Sequence, residues 1–321
     1  MPLIYLPPPP PPPPPKTWPR PPVRPGKRVV WVGPDGTEVP LTDGDAVTSM
    51  TGRAGFGRLV PDLVADRGAT GAGLLQDYRD TPRLMTVPLH VHGTTPDAYL
   101  DVWRRLVATT RHRGPDGPRP GRIRVELPDG SWRDITAYYH AGLEMVEDEL
   151  DDLIWSRSRH EVEFWAPDPY FQGPPVRMAW QLVADPRPFY PLYPVTVTSS
   201  SLGGVATITS PGDADSYPVW EIVGPGTPVV TNATTGQSWA FGEEVPAGEV
   251  VTVDCRPTDI APETGLTAVD SQGTDWWGAF VGYPDLWLVP PGESQLEVGM
   301  VGATSESRLR LEFRPRYLAG W

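Results

Sequence analysis

The sequence predicts a mostly-β protein: a first β-domain that contains one helix, followed by a β-sandwich. Short apolar runs alternate with turn residues along most of the 321-residue chain, which holds 33 Gly and 43 Pro. Such spacing is typical of all-β folds. Large aromatic side chains, 13 Trp among them, supply enough apolar surface for a core in each long segment. Only one segment repeats its apolar residues with the period of an amphipathic helix.

The first 26 residues form a low-complexity arm. Its nine consecutive prolines, Pro7–Pro15, favour a stiff polyproline II conformation. Trp18, Arg20 and Arg24 follow the prolines, and we expect them to anchor the base of the arm on an acidic neighbouring subunit. The alternative interpretation is a disordered tail without a partner.

Residues 27–172 are expected to form the first β-domain. It opens with a hairpin over Val29–Leu41, because Pro34-Asp35-Gly36 is a strong turn signal between two apolar runs. A Gly-rich loop with Gly52, Gly55 and Gly57 follows the hairpin. That stretch lacks the lysine and the following helix of a phosphate-binding loop, so we expect no nucleotide site there.

The middle of this domain contains the helix. Alternating apolar residues predict a strand over Met85–Val91. Thr95 is then a good N-cap, and Pro96 suits the first helical position, which predicts a helix over Pro96–Thr110. Its expected apolar stripe consists of Tyr99, Leu100, Trp103, Leu106 and Val107.

The domain ends with a second hairpin over Ile123–Tyr139 and a long strand over Leu153–Trp165. We expect residues 173–192 to form a linker. Residues 193–321 predict the β-sandwich, because short apolar runs recur about every ten residues without a helical pattern. The expected strands are Val195–Ser199, Val205–Thr209, Val219–Val223, Val229–Asn232, Ser238–Phe241, Glu249–Asp254, Leu286–Val289, Ser294–Val298 and Arg308–Phe313.

The charge of the chain argues against a protein that grips nucleic acid. The net charge is −13, whereas binding to phosphates needs clustered Lys and Arg. Residues 190–321 hold sixteen carboxylates against five arginines. Cys255 is the only cysteine, so an internal disulfide and a multi-thiolate metal site are excluded. We also expect no transmembrane helix and no signal peptide, which indicates the cytoplasm or a particle assembled there.

The candidate catalytic and metal-binding residues form no recognisable site in the sequence. We therefore expect a protein that is not an enzyme and needs no metal or cofactor. His90 and His92 share one strand face, but the sequence indicates no third ligand. We expect Cys255 to be a buried structural thiol. Three tryptophans are the best candidates for stacking on a glycan, although the simpler interpretation places them in the sandwich core. They are Trp276, Trp277 and Trp287.

The order and spacing of several weakly specific motifs resemble the distal tail protein family of long-tailed, siphovirus-type bacteriophages. The resemblance covers about residues 28–315. In the first domain it rests on the two hairpins, on the strand–helix unit Met85–Thr110 and on the aromatic-to-Pro-Asp-Pro passage Phe164–Phe171. In the second it rests on Tyr217–Ile222, Asn232–Gly236, Val251–Asp254 and Leu288–Glu293. The polyproline arm departs from the family pattern.

This resemblance implies a structural role in the virion tail, as a minor tail or baseplate protein assembled in the host bacterial cytoplasm. It implies a split-barrel-like first domain that builds a homo-oligomeric ring, usually of six copies, and a galectin-like second domain that points outward. The implied partners are other copies, the tail tube protein and the tail tip or hub protein. DNA is expected to pass through the lumen without specific binding, which suits a chain of net negative charge.

Two alternative functions remain open at this point. One is a tail-associated carbohydrate-binding module that recognises host surface glycans. The other is a cell-wall hydrolase with an unrecognised site. The first alternative depends on exposed faces of Trp276, Trp277 or Trp287.

Overall fold

A computed structural model shows a mostly-β fold and confirms the predicted class. All pairings between its named strands are antiparallel. The structure describes residues 26–42, 44–67, 71–114, 117–144, 152–181, 188–190, 193–196, 201–257 and 265–321.

The first part of the chain is built around one large sheet. Its elements are β1 (Arg28–Val32), β2 (Glu38–Pro40), β3 (Val47–Ser49), β4 (Asp62–Arg67), β5 (Gly73–Arg79), β6 (Arg83–His92), α1 (Pro96–Thr109), β7 (Arg113–Gly114), β8 (Gly117–Pro118), β9 (Gly121–Glu126), β10 (Trp132–Ala141), α2 (Asp152–Trp155), β11 (Arg157–Ala166) and β12 (Phe171–Gln172).

The second part is built from shorter sheets. Its elements are β13 (Val176–Gln181), β14 (Pro188–Tyr190), β15 (Tyr193–Thr196), β16 (Ser201–Ser210), β17 (Val219–Val223), β18 (Thr227–Asn232), β19 (Ser238–Ala240), β20 (Val250–Asp254), β21 (Thr267–Asp270), a 3₁₀ turn (Trp277–Ala279), β22 (Gly292–Val301), β23 (Arg308–Phe313) and β24 (Arg316–Tyr317).

The large sheet curls into a nearly closed barrel. Its strands lie in the order β2-β1-β9-β10-β11-β6-β3; β12 pairs with β10, and β24 pairs with β12. Buried and more exposed side chains alternate along the strands because only one face of the sheet is buried. On β6 the buried face consists of Met85, Val87, Leu89 and Val91, which are fully enclosed. Trp31 packs against Phe164 at 4.6 Å between ring centroids inside this core.

Both predicted hairpins of the first domain form. Their turns place Gly36 at φ 84° and Gly130 at φ 85°, a conformation that favours glycine. In each turn the aspartate before the glycine accepts hydrogen bonds from the hydroxyl residue two positions later, Thr37 or Ser131. Those bonds lower the pKa of Asp35 and of Asp129.

Helix α1 begins as predicted, with the Thr95 side chain accepting a hydrogen bond from the amide of Ala98 at 3.2 Å. Tyr99, Leu106 and Thr109 form its buried face. Val107, expected in the apolar stripe, is instead 40% exposed. One residue turns the helix by about 100°, so Val107 lies beside the buried face rather than on it.

The expected strand over Leu153–Trp165 starts later than predicted. The segment opens with the one-turn helix α2, and β11 begins only at Arg157. The reason is the partner strand: Arg157 pairs with His92, the last residue of β6. Beyond that pair the chain turns from β6 toward α1, and one last bond, from the amide of Gly93 to the carbonyl of Ser156 at 2.8 Å, ends the ladder.

The second part of the chain is a β-sandwich. A five-stranded sheet in the order β13-β23-β17-β20-β21 faces a four-stranded sheet in the order β16-β22-β18-β19. Trp220 lies at the centre, T-shaped against Trp239 at 5.8 Å. The segment 173–192, expected as a linker, contains β13, which pairs with β23 over six residues. The expected strand Leu286–Val289 is irregular, with one isolated bridge from Val289 to Ser216.

No helix among the described residues has both the length and the apolar character needed to cross a membrane.

Candidate functional site

An exposed hairpin is the most unusual surface of the first domain. Strands β4 and β5 pair only with each other, and their described side chains all face solvent. The pairs Leu63–Tyr78 and Ala65–Leu75 share one face, and the neighbouring residues Val64 and Leu74 point to the other, so apolar side chains occupy both faces. Leu63, Leu74, Leu75 and Tyr78 are each more than half exposed. A two-stranded hairpin is marginally stable alone in water, so these side chains favour a partner surface.

This hairpin was not expected from the sequence, which predicted only a Gly-rich loop after the first hairpin. A signal was present, because two short apolar runs, Leu63-Val64 and Leu74-Leu75, flank the glycines Gly68 and Gly71. A turn between two apolar runs predicts a hairpin by the same rule that found the others.

The end of the chain returns to the first domain. Strand β24 follows the sandwich strand β23 and pairs with β12, where Phe171 faces Tyr317 and Gln172 faces Arg316. Two further contacts tie the returning segment to the barrel. The amide of Gly320 donates to the carbonyl of Phe56 at 2.9 Å, and Arg133 donates to the carbonyl of Ala319 at 2.8 Å.

Arg316 is the centre of this junction. Its guanidinium pairs with the carboxylate of Asp168 at 2.7 Å, and both side chains are buried. It also donates to the carbonyl of Asp215 at 3.0 Å. The rings of Tyr170 and Tyr217 lie 3.9 and 4.4 Å from the guanidinium carbon. Arg316 therefore ties the first domain, the sandwich and the last strand together through one charged group.

A second ion pair lies beside the first. Arg314 contacts Asp134 of β10 at 3.2 Å, and Arg122 lies 3.7 Å from the same carboxylate. Burial raises the pKa of Asp134, although the arginines around it act in the opposite direction. The carboxylate therefore carries a desolvation cost that its arginine neighbours offset only in part.

Arg83 organises the loops under the returning segment. Its buried side chain donates to four backbone carbonyls, which belong to Pro169 at 2.8 Å, Gly55 at 2.5 Å, Gly57 at 2.6 Å and Leu318 at 2.8 Å. Burial lowers the pKa of Arg83 to about 10, with Asp168 opposing the shift. The group remains charged at neutral pH and fixes the Gly-rich loop relative to the end of the chain.

A groove of about 410 Å³ opens at this place. Trp321 forms one wall and stacks on Phe56 at 6.2 Å with an interplanar angle of 15°. The ammonium of Lys27 lies 3.3 Å above the centroid of the Trp321 ring. Met50 and Arg53, in the Gly-rich loop, also line the groove. The described chain therefore begins, at Gly26 and Lys27, beside the groove.

The three tryptophans proposed for glycan contact have different surroundings. Trp287 is 3% exposed and lies T-shaped against Trp220 at 6.0 Å, so its ring belongs to the sandwich core. Trp276 and Trp277 are partly buried against that core. Trp276 stacks on Phe241 at 6.1 Å and lines an open groove of about 560 Å³. The other polar lining residues of that groove are Glu243, Glu249, Asp270, Gln272, Thr274 and Asp275.

The remaining candidates form no catalytic or metal-binding cluster within the described ranges. The rings of His90 and His92 lie 5.4 Å apart, and the described residues contain no group of three or more potential metal-ligating side chains. Cys255 is buried, and burial, with a smaller effect of Asp254, raises the pKa of its thiol. Trp18, Arg20 and Arg24 lie outside the described residues.

Comparison with known proteins gives a fold but no family. No protein-family model and no curated protein matches the sequence. A solved structure of the SPP1 Dit (gp 19.1) protein, described as a hub adsorption apparatus of phages that infect Gram-positive bacteria, aligns with a TM-score of 0.58 at 13% identity. The alignment covers 90% of this chain and 98% of that one.

Two baseplate structures are more distant. The phage P2 baseplate in its activated conformation aligns with TM-scores of 0.48 in the form with Ca and 0.47 in the form with Sr, each at 10% identity. These alignments cover 90% and 89% of this chain, and 98% and 97% of the matched chains. The likeness to the SPP1 protein is the stronger one, and it shows that this chain shares the fold of a phage hub protein.

Proposed function

We propose that this chain is a structural distal tail protein of a bacteriophage. In this proposal several copies, six by the family pattern, form a ring that joins the tail tube to the tail tip or hub protein, and DNA passes through its lumen. The first domain, residues 27–172, builds the ring, and the sandwich, residues 193–321, faces outward. The protein acts in the virion tail after assembly in the bacterial cytoplasm, and it has no enzymatic activity.

One observation carries the proposal of self-association. The β4–β5 hairpin presents apolar side chains on both faces, with Leu74 and Tyr78 at 63% and 64% exposure. Burying such side chains contributes about 25 cal/mol per Å² of apolar surface removed from water. A neighbouring copy would cover the hairpin and complete its packing, and the shared fold with a phage hub protein supports this role.

The experiment measures the mass of the full-length protein in solution, by native mass spectrometry over a concentration series. The full chain is needed, because the last strand and Gly320 pack on the first domain. We expect the wild type to form closed oligomers and the double variant Leu74→Asp/Tyr78→Asp to be a folded monomer. Tyr283, which is 92% exposed in the second domain, supplies the control Tyr283→Asp, which should still assemble.

The proposal fails in two ways that can be told apart. A wild type that stays monomeric at every concentration would rule out self-association. Oligomers that survive the hairpin substitutions but dissociate with Tyr283→Asp would assign assembly to the second domain instead.

The groove beside Trp276 favours a second candidate function, glycan binding by the outward-facing sandwich. Sugars stack on indole rings and form hydrogen bonds with carboxylates, amides and hydroxyls, and this groove contains all four kinds of group. Binding on a glycan array that is lost with Trp276→Ala and retained with Trp155→Ala would support it. Equal binding by both variants would exclude the Trp276 groove.

A further inference from the structure

We infer that the groove between Trp321 and the Gly-rich loop receives the proline run Pro7–Pro15 of a neighbouring copy of the chain. This inference deepens the proposed function and rests on its self-association. The proline run lies outside the described residues, and its conformation follows from its sequence. All nine residues that line the groove are among the described residues.

The two walls of the groove are held in place by the same buried group. Arg83 donates to Gly55 and Gly57 in the Gly-rich loop and to Leu318 in the returning segment. The amide of Gly320 adds a bond to the carbonyl of Phe56. The groove is therefore preformed, and a ligand that enters it does not have to order its walls.

The polar groups of the groove suit a ligand that only accepts hydrogen bonds. Proline has no backbone N–H, so a run of prolines offers carbonyl oxygens and no donors. The nine lining residues include two cations, Lys27 and Arg53, and two hydroxyls, Ser49 and Thr51, but no Asp or Glu side chain. Burial, and to a smaller extent Arg53, lowers the pKa of Lys27, which is consistent with a groove that is short of acceptors.

The apolar groups of the groove suit the shape of the same ligand. Trp321 is 47% exposed and stacks on Phe56, so the groove has an aromatic wall. Aromatic-lined grooves bind polyproline II segments, whose ring faces pack on the aromatic rings. The ligand also loses little backbone entropy, because its φ angles are already restricted.

The positive charge of the groove favours binding of the proline run over binding of the base of the arm, residues 16–25. Residues 16–25 carry Lys16, Arg20 and Arg24 and no acid, so they would be repelled by Lys27 and Arg53. The run Pro7–Pro15 is uncharged. It therefore brings only its carbonyl dipoles and ring faces to a cationic groove.

The length of chain between the proline run and the groove favours docking on a neighbouring copy over docking on the same chain. Pro15 lies twelve residues before Lys27, which spans up to about 37 Å at the polyproline rise. The first domain has an expected radius of gyration of about 15 Å, and hence a width of about 38 Å. An arm fully extended in this conformation would begin its proline run about one domain width from its own groove, a distance at which adjacent copies in a ring would place the next groove.

Cross-linking in the full-length protein tests the inference. The double variant Pro11→Cys/Thr51→Cys places one thiol in the proline run and one on the exposed rim of the groove, while the native Cys255 is buried. A short bis-maleimide should link neighbouring chains into a covalent ladder on a denaturing gel. Adding Trp321→Ala should remove at least three quarters of the ladder, and the control Trp155→Ala, at a tryptophan that is 56% exposed elsewhere, should leave it unchanged.

Each other outcome overturns the inference in a distinct way. Cross-links confined to single chains would show that the arm folds back on its own groove. Oligomers in native mass spectrometry without a ladder would retain the proposed function and exclude this docking site. A protein that is monomeric throughout would overturn both, because the neighbouring copy would be absent.

Discussion

Replacing Arg316 with methionine should destabilise the protein more than any exposed arginine substitution. The methionine keeps much of the side-chain volume but leaves the buried carboxylate of Asp168 without its partner at 2.7 Å. Removing one member of a buried ion pair costs about 3–5 kcal/mol. The contacts with Tyr170 and Tyr217 add to this loss, because a desolvated cation–π contact contributes up to about 2 kcal/mol.

A double-mutant cycle separates the ion pair from the packing. Asp168→Asn alone should also be destabilising, because it leaves the buried guanidinium with a weaker partner. In the Arg316→Met background the same change should recover about 1–3 kcal/mol, since it removes the unpaired charge. The assay is urea unfolding, with midpoints and slopes compared at one pH.

Arg310 supplies the matched control. It pairs with Glu221 on the surface of the five-stranded sheet, where the two side chains are 44% and 38% exposed. Exposed pairs contribute about 0–1 kcal/mol, so Arg310→Met should be nearly neutral. The interpretation of Arg316 as the centre of the junction is refuted if Arg316→Met costs no more than Arg310→Met.

Four further predictions concern single groups. Trp103 is only partly buried, so Trp103→Ala should lower stability in urea by about 1–3 kcal/mol, below the value for a fully buried Trp; an unchanged midpoint would contradict its packing on the core. Cys255 should react with iodoacetamide only after unfolding, because burial and Asp254 raise its pKa; rapid labelling of native protein would exclude the buried thiol. Burial and the nearby His92 lower the pKa of His90 below 6.5. The native state then binds fewer protons than the unfolded chain as pH falls through that value, so melting temperature should drop between pH 7 and 5, and less so in His90→Gln. Chelator treatment should change neither folding nor assembly; a stoichiometric metal lost with His90→Ala would show otherwise.

Local chemistry made part of the fold predictable. The Pro-Asp-Gly turns need a positive φ at Gly36 and Gly130, and each aspartate bonds to a residue two positions away. Thr95 caps the helix through Ala98, three residues later. Signals of this kind act over a few residues, so they can be read along the chain, and they located the two Pro-Asp-Gly hairpins, the helix and most sandwich strands.

Partner strands decided the boundaries that were predicted less well. Arg157 begins β11 because β6 ends at His92, and no local pattern around Leu153 reveals that limit. Val107 looks like part of the apolar stripe, but the packing of α1 on the barrel chose Tyr99 and Leu106 as the buried face. Propensity and periodicity are weak when the neighbour that buries a residue is distant in the sequence.

The sequence by itself determined the mostly-β class, the local turns and cap, the acidic balance and the neutral proline run. Only the tertiary structure decided the candidate surfaces. Arg83 meets Leu318 across 235 positions, and Arg316 meets Asp168 across 148. These contacts form the junction and the Trp321 groove, and they depend on how the sandwich returns the chain to the barrel. A buried charge selects its partners by geometry in three dimensions, which spacing along one chain does not encode.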